Sequence, residues 1–242
     1  MLKPNLRLLL IVLLFTGLAA CAGTDKDSRD MAQDATARQS ITQSYGVQYF
    51  DLIEQVQYTF NARNGDTLTR RFWIWEPQTD RVTFDALDYK GPITYYRQDL
   101  QTDPSNKLKS IDAWFVNDNY LLLFPFHVAR NTGTLIEDAG RKKLPLGEGE
   151  ANCVAVSYPA DGGDTPGDVY ELYLDENFRV MQWIYRRGGS ETPTRIATWE
   201  DHRQLGPLVF SLAHQGDDEN FRIWFTQVGV KLKDIKSWLF MD

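Results

Sequence analysis

The chain has 242 residues, 43% of them hydrophobic and 13% aromatic, with seven tryptophans and a formal charge of −7 at pH 7. The length gives one domain with a sizeable core. The acidic balance excludes nucleic acid as a partner, because nucleic-acid binders carry a basic footprint, and excludes docking to anionic lipid by charge.

Residues 1–20 read as a secretory signal peptide: Lys3 and Arg7 flank the apolar run Leu8 to Phe15, and Leu18-Ala19-Ala20-Cys21 follows. The run falls short of the ~20 apolar residues that cross a bilayer. Leu-Ala-Ala-Cys resembles the lipobox at which bacterial lipoproteins are processed. The resemblance implies a diacylglycerol thioether and an N-linked acyl chain (palmitate) on Cys21, which becomes the mature N-terminus. Ala rather than Asp at position 22 implies sorting to the outer membrane, facing the periplasm. Loss of Lys3 and Arg7 lowers the basic count from 26 to 24 against 33 acidic residues, a formal −9. Two or more acyl chains hold a protein on a membrane firmly, whereas one holds it reversibly. Residues 21–40 hold the lipidated cysteine and a polar stretch of Ala, Asp, Thr, Ser and Gln without an apolar cluster, so they read as a flexible tether. Residues 41–242 make the single domain.

Ile41, Tyr45, Tyr49, Leu52, Ile53 and Val56 recur at spacings of three and four, which predicts helix from about Arg38 to Gln55, split or bent at Gly46. Strands dominate beyond it. Val56, Tyr58 and Phe60 alternate with polar residues, Asn64-Gly65-Asp66 makes a tight turn, and Thr67–Glu76 and Arg81–Leu87 complete a meander. Trp114–Phe126 is a concentrated apolar segment; Asp112 is placed to cap a short helix there and Pro125 to end it. It reads as a core plug or a lid. A segment with Gly133, Gly140, Pro145, Gly147 and Gly149 follows. Strand-like runs then occur at Val154–Tyr158, Asp168–Leu174, Val180–Arg186, Arg195–Asp201, Leu208–His214 and Phe221–Val230, joined by short turns. Short turns force antiparallel pairing. About ten strands exceed a flat sheet, so the predicted fold is α+β: a strongly curved antiparallel half-barrel, with the N-terminal helix and a short helical plug on its concave side.

No phosphate loop, nucleophile elbow or metal-binding motif occurs, and no cofactor beyond the acyl groups is implied. Cys153 lies in the apolar stretch Cys153-Val154-Ala155-Val156, as a buried small hydrophobe would. The best catalytic candidates are Glu200 and His202 in Glu200-Asp201-His202-Arg203, a strand end whose charges are more simply solvated. Arg186, Arg187 and Arg195 bracket Gly188-Gly189. They read as cross-strand ion pairs or, alternatively, as holders of a ligand headgroup or lid. Strands apolar on both sides fit either a thick core or a sheet lining a hydrophobic cavity. For a cavity, the lining candidates are Trp73, Trp75, Trp114, Phe115, Leu122, Phe124, Trp183 and Tyr185.

Four stretches carry a resemblance: Val116-Asn117-Asp118-Asn119-Tyr120-Leu121-Leu122-Leu123-Phe124-Pro125-Phe126, Thr165 to Tyr173, Trp183-Ile184-Tyr185-Arg186-Arg187 and Ala197-Thr198-Trp199-Glu200-Asp201. They resemble a group of uncharacterised bacterial outer-membrane lipoproteins similar in architecture to the lipoprotein carrier LolA and its receptor LolB. The resemblance implies a helix-lidded half-barrel that binds lipid or lipoprotein acyl chains without enzymatic chemistry. The alternatives are an envelope scaffold with a filled core that docks a protein partner and, third, an enzyme built on Glu200 and His202.

Overall fold

The structure is a computed structural model that describes residues 24–103, 106–131, 133–233, 235 and 237–241, with side chains from residue 35. The signal peptide and Cys21 lie outside the described residues. In chain order the elements are α1 (Thr24–Tyr45), a 3-10 turn (Val47–Leu52), β1 (Ile53–Asn64), β2 (Thr67–Glu76), β3 (Arg81–Asp85), β4 (Ile93–Tyr96) and a second 3-10 turn (Arg97–Thr102). Next come α2 (Lys107–Arg130), β5 (Leu135–Lys143), β6 (Glu150–Ser157), β7 (Val169–Leu174), β8 (Val180–Arg186) and β9 (Arg195–Thr198). The chain finishes with β10 (Glu200–Leu205), β11 (Leu208–Gln215), β12 (Phe221–Leu232) and β13 (Trp238–Phe240).

The strands form two sheets, wholly antiparallel: β10-β11-β12-β1-β2-β3-β4 with β13 beside β12, and β5-β6-β7-β8-β9. The join is at Trp199. The strand before it pairs with β8 and the strand after it with β11, while an Ala197–Gly216 bridge and the Gln215 N–H on Thr198 Oγ1 stitch the seam. The result is the predicted curved antiparallel half-barrel.

The concave side holds α2. Val56, Tyr58 and Phe60 of β1 turn inward, and their register partners Trp75, Trp73 and Arg71 face the same way. From Asp118 to Phe126 every α2 residue is buried, so this part of the helix has no solvent face. Phe115 packs edge-on against Trp73 at 5.5 Å, Phe124 lies tilted on Tyr170 at 4.4 Å and Phe126 stacks on Phe210 at 5.5 Å. Both sheets and the plug thus share one core.

The helices differ in detail from the expectation. The stretch read as a tether is helical in α1 from residue 24. The first helical stretch does split at Gly46, which takes a left-handed φ of 72°, but its second part is a 3-10 turn that ends at Leu52, and Ile53 already begins β1. The plug runs to Arg130 rather than stopping at Pro125, and starts at Lys107. Its first turn is satisfied by the Asp103 carboxylate accepting the Leu108 N–H at 2.8 Å. Asp112 is not a cap: it sits within the helix, held by Arg97 and the Tyr95 hydroxyl.

The survival of the helix across Pro125 has a local cause. Proline has no N–H to give the carbonyl four residues back, and its ring pushes that carbonyl away. The backbone answers with a non-helical step at Leu123 (φ −116°, ψ 15°), and His214 Nε2 donates to the orphaned Leu121 carbonyl at 2.8 Å. The far end is held by Arg38 of α1, whose guanidinium donates to the carbonyls of Val128, Asn131 and Thr134. A cation on the last carbonyls also suits the helix dipole.

Gly46 has no substitute. A Cβ there would stand 2.0 Å from the Pro207 carbonyl oxygen, on a backbone that L side chains resist. Gly46→Ala is expected to lower the unfolding free energy by about 2 kcal/mol or more. A urea midpoint unchanged from wild type would contradict this.

Candidate functional site

Most of the space under the first sheet is filled apart from a pocket at Trp75, and a larger opening lies to one side of the plug. A cleft of about 410 Å³ separates α2 from the concave face of the second sheet. Ala113, Val116, Asn117, Tyr120 and Leu121 form the helical wall, and Tyr170, Trp183 and Tyr185 form the sheet wall. The rim is the loop of Asp164, Thr165 and Pro166 together with the β8–β9 hairpin, through Arg187, Thr194 and Arg195.

Strand register builds the sheet wall. Tyr170 lies opposite Tyr185, Leu172 opposite Trp183 and Arg195 opposite Tyr185, so these side chains share one face. The rings stack: Tyr170 lies 4.9 Å from Tyr185 and 5.3 Å from Trp183, both at 21°. Stacked this way, the three rings form one continuous aromatic wall. Trp183 is only 3% exposed, and its indole Nε1 has no hydrogen-bond partner among the described residues. Buried indole N–H groups ordinarily find an acceptor, so this one is conspicuous.

Two clasps shape the rim. Asp168 Oδ2 accepts from the Tyr185 hydroxyl at 2.9 Å and Oδ1 from the Gly188 N–H at 2.8 Å, tying the start of β7 to the hairpin. Arg97 donates to Asp112 of α2 at 2.8 Å and to Asp164 of the loop at 2.6 Å. The loop can turn so tightly because Gly162, Gly163 and Gly167 all have positive φ.

Burial pushes the Tyr120 hydroxyl up to about 12, and pushes Tyr170 and Tyr185 up as well. These groups stay protonated at neutral pH, and Tyr185 donates to Asp168. Cys153 lies on the opposite face in a small satellite cluster with Ala151, Tyr173 and Ile184, and burial raises its thiol to about 11. A thiol so raised is inert at neutral pH. Glu200 is exposed. His202 is tied through Nε2 to the Tyr45 hydroxyl at 3.1 Å, and burial lowers it. Neither residue lines the cleft.

Of the eight lining residues expected from sequence, the structure brings Trp183 and Tyr185 to this cleft. Trp73, Phe115, Leu122 and Phe124 are packed in the core, each 2% exposed or less. Trp75 faces a separate pocket of about 280 Å³ with Phe50, Phe126 and His127. Trp114 is 38% exposed beside Phe84 and Arg71. Sequence reasoning missed Val116, Tyr120 and Leu121 as wall residues, although helical spacing from residue 113 places 113, 116, 117, 120 and 121 on one face. Of the three bracketing arginines, Arg186 pairs with Glu171 across the strands at 2.9 Å, while Arg187 and Arg195 face the cleft.

No family model and no curated protein matches this chain. Among solved structures it is similar to a DUF1329 family protein from Desulfovibrio piger ATCC 29098, with TM-score 0.46 and 10% identity over 80% of this chain and 91% of that one. It is also similar to a domain ascribed to outer-membrane lipoprotein sorting from Vibrio parahaemolyticus, with TM-score 0.42 and 10% identity over 86% and 91%. Function therefore has to be read from this chain's own residues.

Proposed function

We propose that this chain is an envelope lipoprotein, acylated at Cys21 and held on the outer membrane, that binds an apolar chain in the cleft between α2 and the second sheet without covalent chemistry. The observation that carries the reading is the cleft itself. Its volume lies within the usual ~300–1,000 Å³ of ligand sites, and its two walls carry aliphatic and aromatic side chains beside Asn117, with charged and polar residues gathered at the rim.

The geometry also favours one mode of entry. Wholesale displacement of the plug would break the Arg71–Asp118 pair, the His214 bond to Leu121, the Arg38 clamp and the Arg97–Asp112 pair together. Entry alongside a fixed α2 breaks none of them. The ligand then slides between the helix wall and the aromatic wall.

Val116→Trp tests this. Val116 is half-buried on the helical wall, so a larger side chain fills the cleft without entering the core. Delipidated wild-type protein is expected to bind an environment-sensitive fluorescent fatty acid saturably. The variant is expected to lose affinity at least tenfold with its urea midpoint unchanged. Equal binding by both proteins would place the ligand elsewhere; absence of saturable binding in the wild type would end the reading.

A further inference from the structure

We infer that the cleft takes an anionic amphiphile, its negative head held by Arg195 and Arg187 and its apolar chain laid along the aromatic wall toward Leu121. This rests on the cleft being the apolar-chain site proposed above and adds the chemical class of the head.

Four charged side chains line the cleft: Asp164, Asp168, Arg187 and Arg195. Both carboxylates are engaged by the protein. Asp164 is paired with Arg97, and Asp168 accepts from the Tyr185 hydroxyl and the Gly188 N–H. The two guanidinium groups are in no ion pair among the described residues. Arg187 reaches only the Tyr185 hydroxyl, at 3.5 Å, within the field of Asp168. Arg195 lies 4.1 Å over the Phe221 ring, and Asp217 is the acid nearest it in effect. The cation–π contact places the Arg195 guanidinium without neutralising it. The free donors at the mouth are therefore cationic.

The walls supply the surface for the chain: Tyr170, Trp183 and Tyr185 stack on one another along the sheet side, across from Val116 and Leu121 of the helix. A cationic head would meet two guanidiniums, while both carboxylates that line the cleft are already engaged.

The test compares heads on a constant chain. Decanoate, decyl phosphate, decanol and decylammonium are titrated calorimetrically into the delipidated full chain, with inorganic phosphate as the head without a chain. Decanoate and decyl phosphate are expected to bind at least tenfold more tightly than decanol, decylammonium more weakly than decanol, and inorganic phosphate not measurably. The preferred one of the two anions tells a carboxylate head from a phosphate head. The margin should narrow as salt is raised, since the arginines are solvent-exposed. Arg195→Gln is expected to narrow the margin and Arg187→Gln with Arg195→Gln to abolish it, with saturable decanol binding as the check that the cleft is intact. Equal affinity for decanoate and decanol overturns this inference but leaves the apolar site standing. Failure of all four amphiphiles removes the site. Inorganic phosphate binding as tightly as decyl phosphate overturns the amphiphile in favour of a simple anion.

Discussion

Arg71→Met is expected to lower the unfolding free energy by about 3 kcal/mol, the largest effect anticipated for any single side chain that touches α2. Asp118 on the plug is fully buried and receives two hydrogen bonds from the Arg71 fork, Nε to Oδ2 at 2.7 Å and Nη2 to Oδ1 at 2.6 Å. Trp73 Nε1 donates to it at 2.9 Å and Asn117 Nδ2 at 3.0 Å. Burial pushes the Asp118 carboxyl up, and the Arg71 guanidinium opposes the rise. Without Arg71 the carboxylate is buried with only neutral donors, which costs several kcal/mol unless the group takes a proton. The deficit should therefore shrink as pH falls. Adding Asp118→Asn removes the charge yet keeps an acceptor for Trp73, so the double variant is expected to recover most of the loss. Urea denaturation at neutral and mildly acidic pH checks both points; a single variant as stable as wild type would show that the pair does not hold the plug.

Acid should weaken the fold between about pH 6.5 and pH 4, through histidines rather than carboxylates alone. His214 is buried and His127 half-buried, and removal from water lowers both from 6.5 to about 4. The sign follows from proton counting. Between those values the unfolded chain binds protons that the folded chain refuses, so stability rises with pH and is lost as pH falls. At 1.36 kcal/mol per unit, the full loss is about 3 kcal/mol for each ring. His214 is the more telling of the two. Its Nε2 serves the Leu121 carbonyl that Pro125 leaves bare, and Nδ1 lies 3.0 Å from the Thr198 carbonyl. His214→Leu is expected to cost about 1–3 kcal/mol at neutral pH by leaving that carbonyl without a donor. The same variant should flatten the acid limb by one ring's share. Chemical denaturation at a series of pH values reads both effects; an acid limb identical to that of wild type would contradict the assignment.

Much of the fold was legible. Period-two alternation in Val56–Asn61 and Thr67–Glu76, with turns at Asn64-Gly65-Asp66 and Pro77–Asp80, located the first meander. Short connections forced antiparallel pairing, and strand number forced curvature. The helices were read less well, for physical reasons. The early part of α1 lacks an apolar stripe, so its composition resembles a linker. Pro125 reads as a stop unless one knows that His214, nearly ninety residues away in sequence, supplies the missing donor. The open space was harder still. Trp73 and Trp183 look alike as inward aromatics of a strand and α2 packs on both, but their surroundings diverge, since only Trp183 also borders the cleft. That divergence depends on the path of one helix through the hollow, which side-chain periodicity does not encode. Arg186, Arg187 and Arg195 were visible as a group; Glu171 beside Arg186 is what sorts the paired one from the two at the cleft.

The central claim is an apolar chain lying between α2 and β8. Photolabelling with a diazirine-bearing fatty acid, followed by mapping of the modified peptides, measures it directly. Saturable labelling concentrated on residues 113–121 and 183–185, and suppressed by excess unlabelled fatty acid, is the predicted result. Labelling that never saturates, or that spreads over the outer faces of the sheets and spares these two segments, would contradict it.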